Sequence, residues 1–130
     1  MILFDTDVCI EILRGNQKVV EKRKEYNGNI AISFFTVAEL FYGAEKSSNP
    51  ARNKSLVEEF LLSIYVLNSD VTILYKFAEI KSRLEKSGGR LTDADIFIAA
   101  TSLTKCEKLI TGNIKHLSRV DGLLVEDWIH

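Results

Sequence analysis

Apolar residues in this chain fall into short solid runs separated by longer stretches of helical period. Ile2-Leu3-Phe4 is a run of three that ends abruptly at Asp5-Thr6-Asp7. A short apolar run closed by polar turn residues predicts a strand buried on both faces. Val8 to Leu13 reads as the helix after it, stopping near Gly15-Asn16, and residues 17–26 as a second, charged helix. Ile30 to Phe34 is a second buried strand, introduced by Asn27-Gly28-Asn29. Helices are predicted from Thr36 to about Glu45 and from Pro50 to about Ile64, the latter with Val57, Phe60, Leu61 and Ile64 on one stripe. Val66-Leu67 is a short third strand. A long helix covers Asp70 to Lys86, with Ile73, Phe77, Ile80 and Leu84 as its apolar face and Gly88-Gly89 as its stop. Thr92 to about Thr104 is apolar nearly all round, which predicts a central, buried helix. Leu109-Ile110-Thr111 and Leu123-Leu124-Val125 supply a fourth and a fifth strand. Strands alternating with helices predict an α/β fold with a parallel sheet. There is no internal repeat and no composition boundary, so residues 1–130 are expected to form a single domain.

Composition agrees with a folded domain: 46% hydrophobic, 27% charged, one Pro and seven Gly in 130 residues. It excludes collagen-like and disordered classes. The 17 basic and 18 acidic residues give a net charge of −1, which lacks the strongly basic footprint of many nucleic-acid binders. The balance hides a division, because five acids (Asp5, Asp7, Glu39, Asp93 and Asp95) fall where one site is expected. Two cysteines, Cys9 and Cys106, form no disulfide framework and suit a reducing compartment. Early acids and the lack of a membrane-length apolar run place the expected protein in the cytoplasm, away from membranes.

Open parallel sheets bind ligands beyond the carboxyl ends of their strands. Acids sit there three times: Asp5 after strand one, Glu39 in the helix after strand two, Asp95 at the start of the central helix. Clustered carboxylates imply either a hard cation such as Mg²⁺ or Mn²⁺ or a raised pKa. Helix capping is the competing explanation, since Thr36-x-x-Glu39 and Thr92-x-x-Asp95 match the capping-box pattern and Asp5 suits a turn. Asp7 and Asp93 flank the cluster as supporting carboxylates. Thr6 and Ser33 can hydrogen-bond a water or a phosphate, or serve only as turn hydroxyls. His116 and His130 read as surface groups, Cys9 and Cys106 as buried small residues, and Trp128 as an anchor for the C-terminal segment. Basic residues concentrate in two stretches, 14–24 and 76–90, either as solvated helix faces or as a phosphate-binding rim.

Five blocks, in order, carry a family resemblance. They are Leu3-Phe4-Asp5-Thr6-Asp7; Ser33 to Leu40 with Tyr42-Gly43-Ala44; Asp95 to Ala100; Leu109-Ile110-Thr111-Gly112-Asn113; and Gly122 to Trp128. Together they resemble the PIN-domain ribonucleases, specifically the VapC-type toxins of toxin–antitoxin pairs, over essentially the whole chain. The resemblance implies a PIN-like α/β/α sandwich around a central, mostly parallel four- or five-stranded sheet. It implies a Mg²⁺- or Mn²⁺-dependent endoribonuclease that hydrolyses RNA with a metal-activated water. Asp5, Glu39 and Asp95 match the family's catalytic, metal-binding acids. Thr6, Asp7, Asp93, Thr111 and Asn113 are supporting candidates. Asn113 occupies a fourth position that is Asp or Asn in the family, so one metal or two stays open. Implied partners are a VapB-type antitoxin, an RNA such as tRNA, a second copy of the chain, and DNA only through the antitoxin. Phe34, Phe35, Leu40, Phe41 and Tyr42 are expected to divide between core and an antitoxin groove. Two rivals stand beside this reading. Asp5-Thr6-Asp7-Val8 also resembles the opening of haloacid-dehalogenase phosphatases, with Asp5 as nucleophile; a non-catalytic binding module would use the same acids as caps.

Overall fold

A computed structural model describes all residues from Met1 to His130. Five strands form one sheet in the order β3-β2-β1-β4-β5, and every neighbouring pair is parallel. The strands are β1 (Ile2–Phe4), β2 (Ile30–Ser33), β3 (Tyr65–Leu67), β4 (Lys108–Ile110) and β5 (Val125–Glu126). The helices are α1 (Thr6–Leu13), α2 (Gln17–Glu25), α3 (Phe34–Glu45), α4 (Pro50–Leu61), α5 (Val71–Lys86), α6 (Asp93–Lys105) and the single-turn α7 (Ile114–Leu117). The α/β/α expectation therefore holds, with five strands and a wholly parallel sheet.

Register explains why the strands read as solid apolar runs. Leu3 pairs with Ala31 and Leu109, while Ile2 and Phe4 pair with residues 30, 32, 108 and 110. Alternate side chains enter opposite faces, and both faces are covered. Leu3, Ala31 and Leu109 pack with Ile73, Ile80 and Leu84 of α5 and with Ile96, Ile98, Ala99 and Ala100 of α6. Ile2, Phe4, Ile32 and Ile110 pack with Val8, Val19, Leu40, Val57 and Phe60 on the other face. Trp128 closes that second layer edge-on to Phe4, with ring centroids 5.4 Å apart, as expected of an anchor.

Helix starts follow side-chain caps. Asp5, Asn16, Ser33, Asn49, Asp70 and Thr92 each accept from an amide of the first turn. These caps move two expected helix starts by two residues each. α1 begins at Thr6 because Asp5 caps it, and α3 begins at Phe34 because Ser33, not Thr36, is its cap. β4 and β5 lie one or two residues away from their expected spans, and α7 has no counterpart among the expected elements. α5 ends as expected: Gly88 takes φ +78°, and the Gly89 N–H returns to the Leu84 carbonyl at 2.9 Å. No helix is long and apolar enough to cross a membrane.

Candidate active site

The chain leaves β1 toward β2 on one side, while β4 lies on the other. The crevice between the carboxyl ends of β1 and β4 is therefore the topological switch point, where doubly wound sheets bind ligands. Asp5 sits at its mouth, one residue past β1. Thr111, one residue past β4 and fully buried, spans the crevice: its hydroxyl donates to Asp5 Oδ2 at 2.8 Å and accepts from the Asn113 N–H at 3.0 Å. The Thr6 N–H donates to Asp5 Oδ1 at 2.8 Å. Asp5 is only 6% exposed. Burial, followed by the neighbouring Asp7 charge, raises its pKa from 3.8 to about 7; the Thr111 and Thr6 hydrogen bonds work against that rise, and Asp95 adds to it.

Glu39 joins this centre through α1. The Thr6 hydroxyl donates to Glu39 Oε1 at 2.7 Å. Thr36 Oγ1 lies 3.0 Å from Thr6 Oγ1. A hydroxyl has one proton, so with that of Thr6 committed to Glu39, Thr36 is the donor in this second bond. Thr36-x-x-Glu39 is thus not a capping box: Thr36 is buried inside α3 and Glu39 faces α1. Asp7 is tied to the other side of the crevice, accepting from Gly112 N–H at 2.9 Å and Val8 N–H at 2.8 Å. Burial raises its pKa, the two amides hold it back, and Asp127 and Asp95 push it further up.

Gly112 is where a close approach requires glycine. A Cβ there would stand 2.9 Å from both Asp7 Oδ2 and Ile129 Cδ1. Gly112→Ala is expected to displace Asp7 and cost about 1–3 kcal/mol, as overpacking does. Urea melts measure it; an unchanged midpoint and m-value would show that the crevice yields freely.

Asp95 stands in the first turn of α6, its N–H donating to Thr92 Oγ1 at 3.1 Å, so the Thr92-x-x-Asp95 cap is present. It opens on a cleft shared with Arg90, Asn113 and His116. The His116 Nδ1–H donates to Asn113 Oδ1 at 2.7 Å, since that oxygen can only accept. His116 is exposed, as expected of a surface group, yet it belongs to the site's wall. Asp93 turns away and pairs with Lys81 at 3.0 Å. Asp5, Asp7, Glu39 and Asp95 therefore share one edge of the sheet, while Asp93 does not join them.

No three His, Cys, Asp or Glu side chains converge tightly enough to hold a metal unaided. The donors at this edge nonetheless suit a hard divalent ion. They are all oxygen, Asp95 and Asn113 face the cleft while Asp5 lies buried behind it, and Mg²⁺ commonly keeps several waters and uses one or two carboxylates plus phosphates. The raised Asp5 pKa reflects burial first and the nearby Asp7 and Asp95 charges after it, and a bound cation would offset both.

The other expectations separate cleanly. Ser33 caps α3, its Oγ accepting from the Phe35 N–H at 3.0 Å. Cys9 is buried and Cys106 half-buried. Of the five apolar residues expected to divide between core and groove, Leu40 alone lines the cleft between α1, α3 and α4 that Glu39 borders. Phe34 and Phe35 pack on Phe97, Phe41 lies against the core, and Tyr42 is 66% exposed. Sequence reasoning missed the Gly112 amide, the Thr6–Glu39 bond and the position of His116. Only Gly112 left a sequence signal, a lone glycine directly after a strand and a threonine.

The sequence model of the PIN domain matches residues 2–123. A ribonuclease, VapC2 of Haemophilus influenzae, is 34% identical over 128 residues, covering 98% of this chain and 97% of that protein. The tRNA(fMet)-specific endonuclease VapC of Shigella flexneri is 34% identical over 127 residues, covering 97% and 96%. Among solved structures, VapBC2 of Rickettsia felis, bound to a DNA fragment from its promoter, matches with a TM-score of 0.93 at 27% identity, covering 99% of this chain and 100% of that one. DNA-bound VapBC of Salmonella typhimurium matches with a TM-score of 0.93 at 29% identity, covering 98% of each chain.

Proposed function

The chain belongs to the PIN-domain family, and from that premise we propose that it is the endoribonuclease toxin of a toxin–antitoxin pair. On this reading it is a single-domain cytoplasmic protein that hydrolyses RNA phosphodiester bonds with Mg²⁺ or Mn²⁺ at the Asp5–Glu39–Asp95 edge. The observation that carries the reading is the placement of Asp5. It is a buried carboxylate at the switch-point crevice, pinned by Thr111 at 2.8 Å, with Asp7 and Asp95 as neighbouring charges and Glu39 held by the adjacent Thr6.

Asp5, Glu39 and Asp95 would hold the ion. Once bound, a divalent cation lowers the pKa of a water and polarises a phosphoryl oxygen. The chain's own residues do the rest. Thr111 fixes the Asp5 carboxylate, and Thr6 fixes Glu39 against α1. Asn113, neutral and held by His116, offers an amide to a water or a phosphate oxygen. Asp7 adds negative charge beside Asp5 while spending its own lone pairs on two backbone amides. The family assignment removes the ground for the phosphatase alternative.

The partner is a VapB-type antitoxin, as in the related complexes, with DNA reached through it. A homodimer is the expected assembly of the toxin. tRNA is the first substrate to test, since the Shigella flexneri relative is named for tRNA(fMet). Purified, antitoxin-free protein should cut total cellular RNA into discrete fragments with Mg²⁺ or Mn²⁺ and leave it intact in EDTA. Cleavage that persists in EDTA, or acid-labile phosphorylation of Asp5 by a phosphate ester, would overturn the reading.

Thr6→Val tests the support of Glu39. It deletes the 2.7 Å bond and strands the buried Thr36 hydroxyl. The expected result is a rise of about 10- to 100-fold in the Mn²⁺ concentration for half-maximal cleavage, in line with losses of groups that orient metal ligands. A wild-type metal titration would show that Glu39 needs no such partner.

A further inference from the structure

We propose that bound RNA leaves the carboxylate edge across Arg90 and follows a continuous groove along α5, its phosphates held by Arg90, Lys86 and Arg119. The proposal rests on the ribonuclease reading and adds the surface on which the substrate lies. Three clefts share walls in succession. The first, of about 460 Å³, contains Asp95 and Asn113 and is bounded by Arg90 and Leu91. The second, of about 600 Å³, is bounded by the same Arg90 and Leu91 and by Leu84. Leu84 also borders the third, of about 730 Å³, which lies between α5 and the segment from Arg119 to Gly122.

The cations along this path differ in how far they are already neutralised. Lys76 and Arg83 share Glu79, at 3.5 and 3.6 Å, and Lys81 faces Asp93 at 3.0 Å. Arg90, Lys86 and Arg119 are exposed and have no carboxylate within 4.0 Å. The groove's unpaired acids, Glu85 and Asp121, lie on its second and third sections. Nearest the reacting edge, the first cleft is lined by Arg90 and His116, and its one acid is Asp95 itself. A guanidinium there matches the two-oxygen geometry of a phosphate.

The other basic stretch of the sequence, although Lys22 there is also without a carboxylate partner, does not line the cleft of Asp95. On α2, Lys18 donates to the His130 carbonyl, Arg23 donates to Ser63, and Lys24 faces Glu21 at 3.8 Å. Of the two stretches, the one spanning residues 76–90 opens onto the cleft of Asp95. The three clefts together hold six basic and five acidic side chains, so what distinguishes the path is its three cations without a carboxylate partner and not a large net charge.

The test is binding of fluorescein-labelled bulk tRNA by the full-length chain carrying Asp5→Asn, followed by anisotropy over a range of salt concentrations. Arg90→Gln, Lys86→Gln and Arg119→Gln should each weaken binding about 3- to 10-fold. Each should also lower the slope of log affinity against log salt by about 0.7–0.9, the signature of one lost phosphate contact. Arg90→Lys should keep the slope. Lys22→Gln and Arg52→Gln remove the same charge elsewhere and should change affinity less than about twofold. In the Asp5 protein with Mn²⁺, Lys86→Gln and Arg119→Gln should raise KM and leave kcat unchanged. Groove variants that bind like Lys22→Gln would overturn the proposal, even if the wild type cleaves RNA. Groove-dependent binding without metal-dependent cleavage would uphold the surface and overturn the ribonuclease reading instead.

Discussion

Asp5→Asn is expected to reduce metal-dependent RNA cleavage by at least about 10³-fold, or about 4 kcal/mol of transition-state stabilisation. The substitution conserves shape. An Asn oxygen still accepts from the Thr6 N–H, and its amide can donate to Thr111 Oγ1, which accepts as readily as it donates. The two contacts are kept, although the buried Thr111 hydroxyl then accepts from both Asn113 and the new amide and its own proton loses its acceptor, so the main change is the lost negative charge. Asp5 is the most deeply buried of the four gathered carboxylates, so neither solvent nor a shifted neighbour can replace its charge. The measurement is single-turnover cleavage of RNA with Mn²⁺, beside circular dichroism of the same preparation. Cleavage within about tenfold of wild type, from a folded variant, would remove Asp5 from the ligand set and the proposed chemistry with it.

Why Asp5 could be found from sequence, and other parts of the site could not, is a matter of range. The strand Ile2-Leu3-Phe4 was legible because a strand buried on both faces must be apolar at every position, and its polar stop marks the carboxyl edge. The same logic located β2 and β4 and placed Asp5, Glu39 and Asp95 at one edge. Boundaries shifted where a cap decided them. Ser33 and Thr36 both suit a cap, and only the buried contact between Thr36 and Thr6 shows which of them serves. α7 was invisible because one helical turn has no period to read, and Asn113 makes no side-chain cap there.

Bonds across the crevice leave still less trace. Thr6 and Glu39 are separated by 33 positions, and Thr111 and Asp5 by 106. Each threonine alone reads as a turn hydroxyl. Their roles come from the sheet order, which sets β1 beside β4 and turns α1 toward α3. Asp93 and Asp95 show the converse. They are two residues apart and indistinguishable in sequence. About 200° of helical rotation separates them, so Asp93 meets Lys81 outside while Asp95 faces the cleft.

The charge that makes Asp5 useful should also make the metal-free protein less stable as pH rises. Its folded pKa of about 7 lies above the 3.8 of an unperturbed carboxyl, with burial as the main cause and Asp7 next. Between about pH 4 and pH 7 the folded state therefore binds more protons than the unfolded chain, and stability falls as pH rises through that window. A difference of about 3 pH units corresponds to as much as about 4 kcal/mol, fully lost above pH 7. Asp7, raised in the same direction, steepens the fall. In EDTA, the Tm should drop steadily from pH 5 to pH 8. Asp5→Asn should flatten that profile and melt higher than wild type at pH 8, while losing its activity. Mn²⁺ should restore the wild type at pH 8 by about 2.7 kcal/mol at a hundredfold excess over its dissociation constant. The inactive variant should gain far less. A Tm that rises with pH in EDTA, or a variant no more stable than wild type at pH 8, would mean that the crevice tolerates its carboxylates without a cation. The electrostatic ground for a metal at this edge would then be gone.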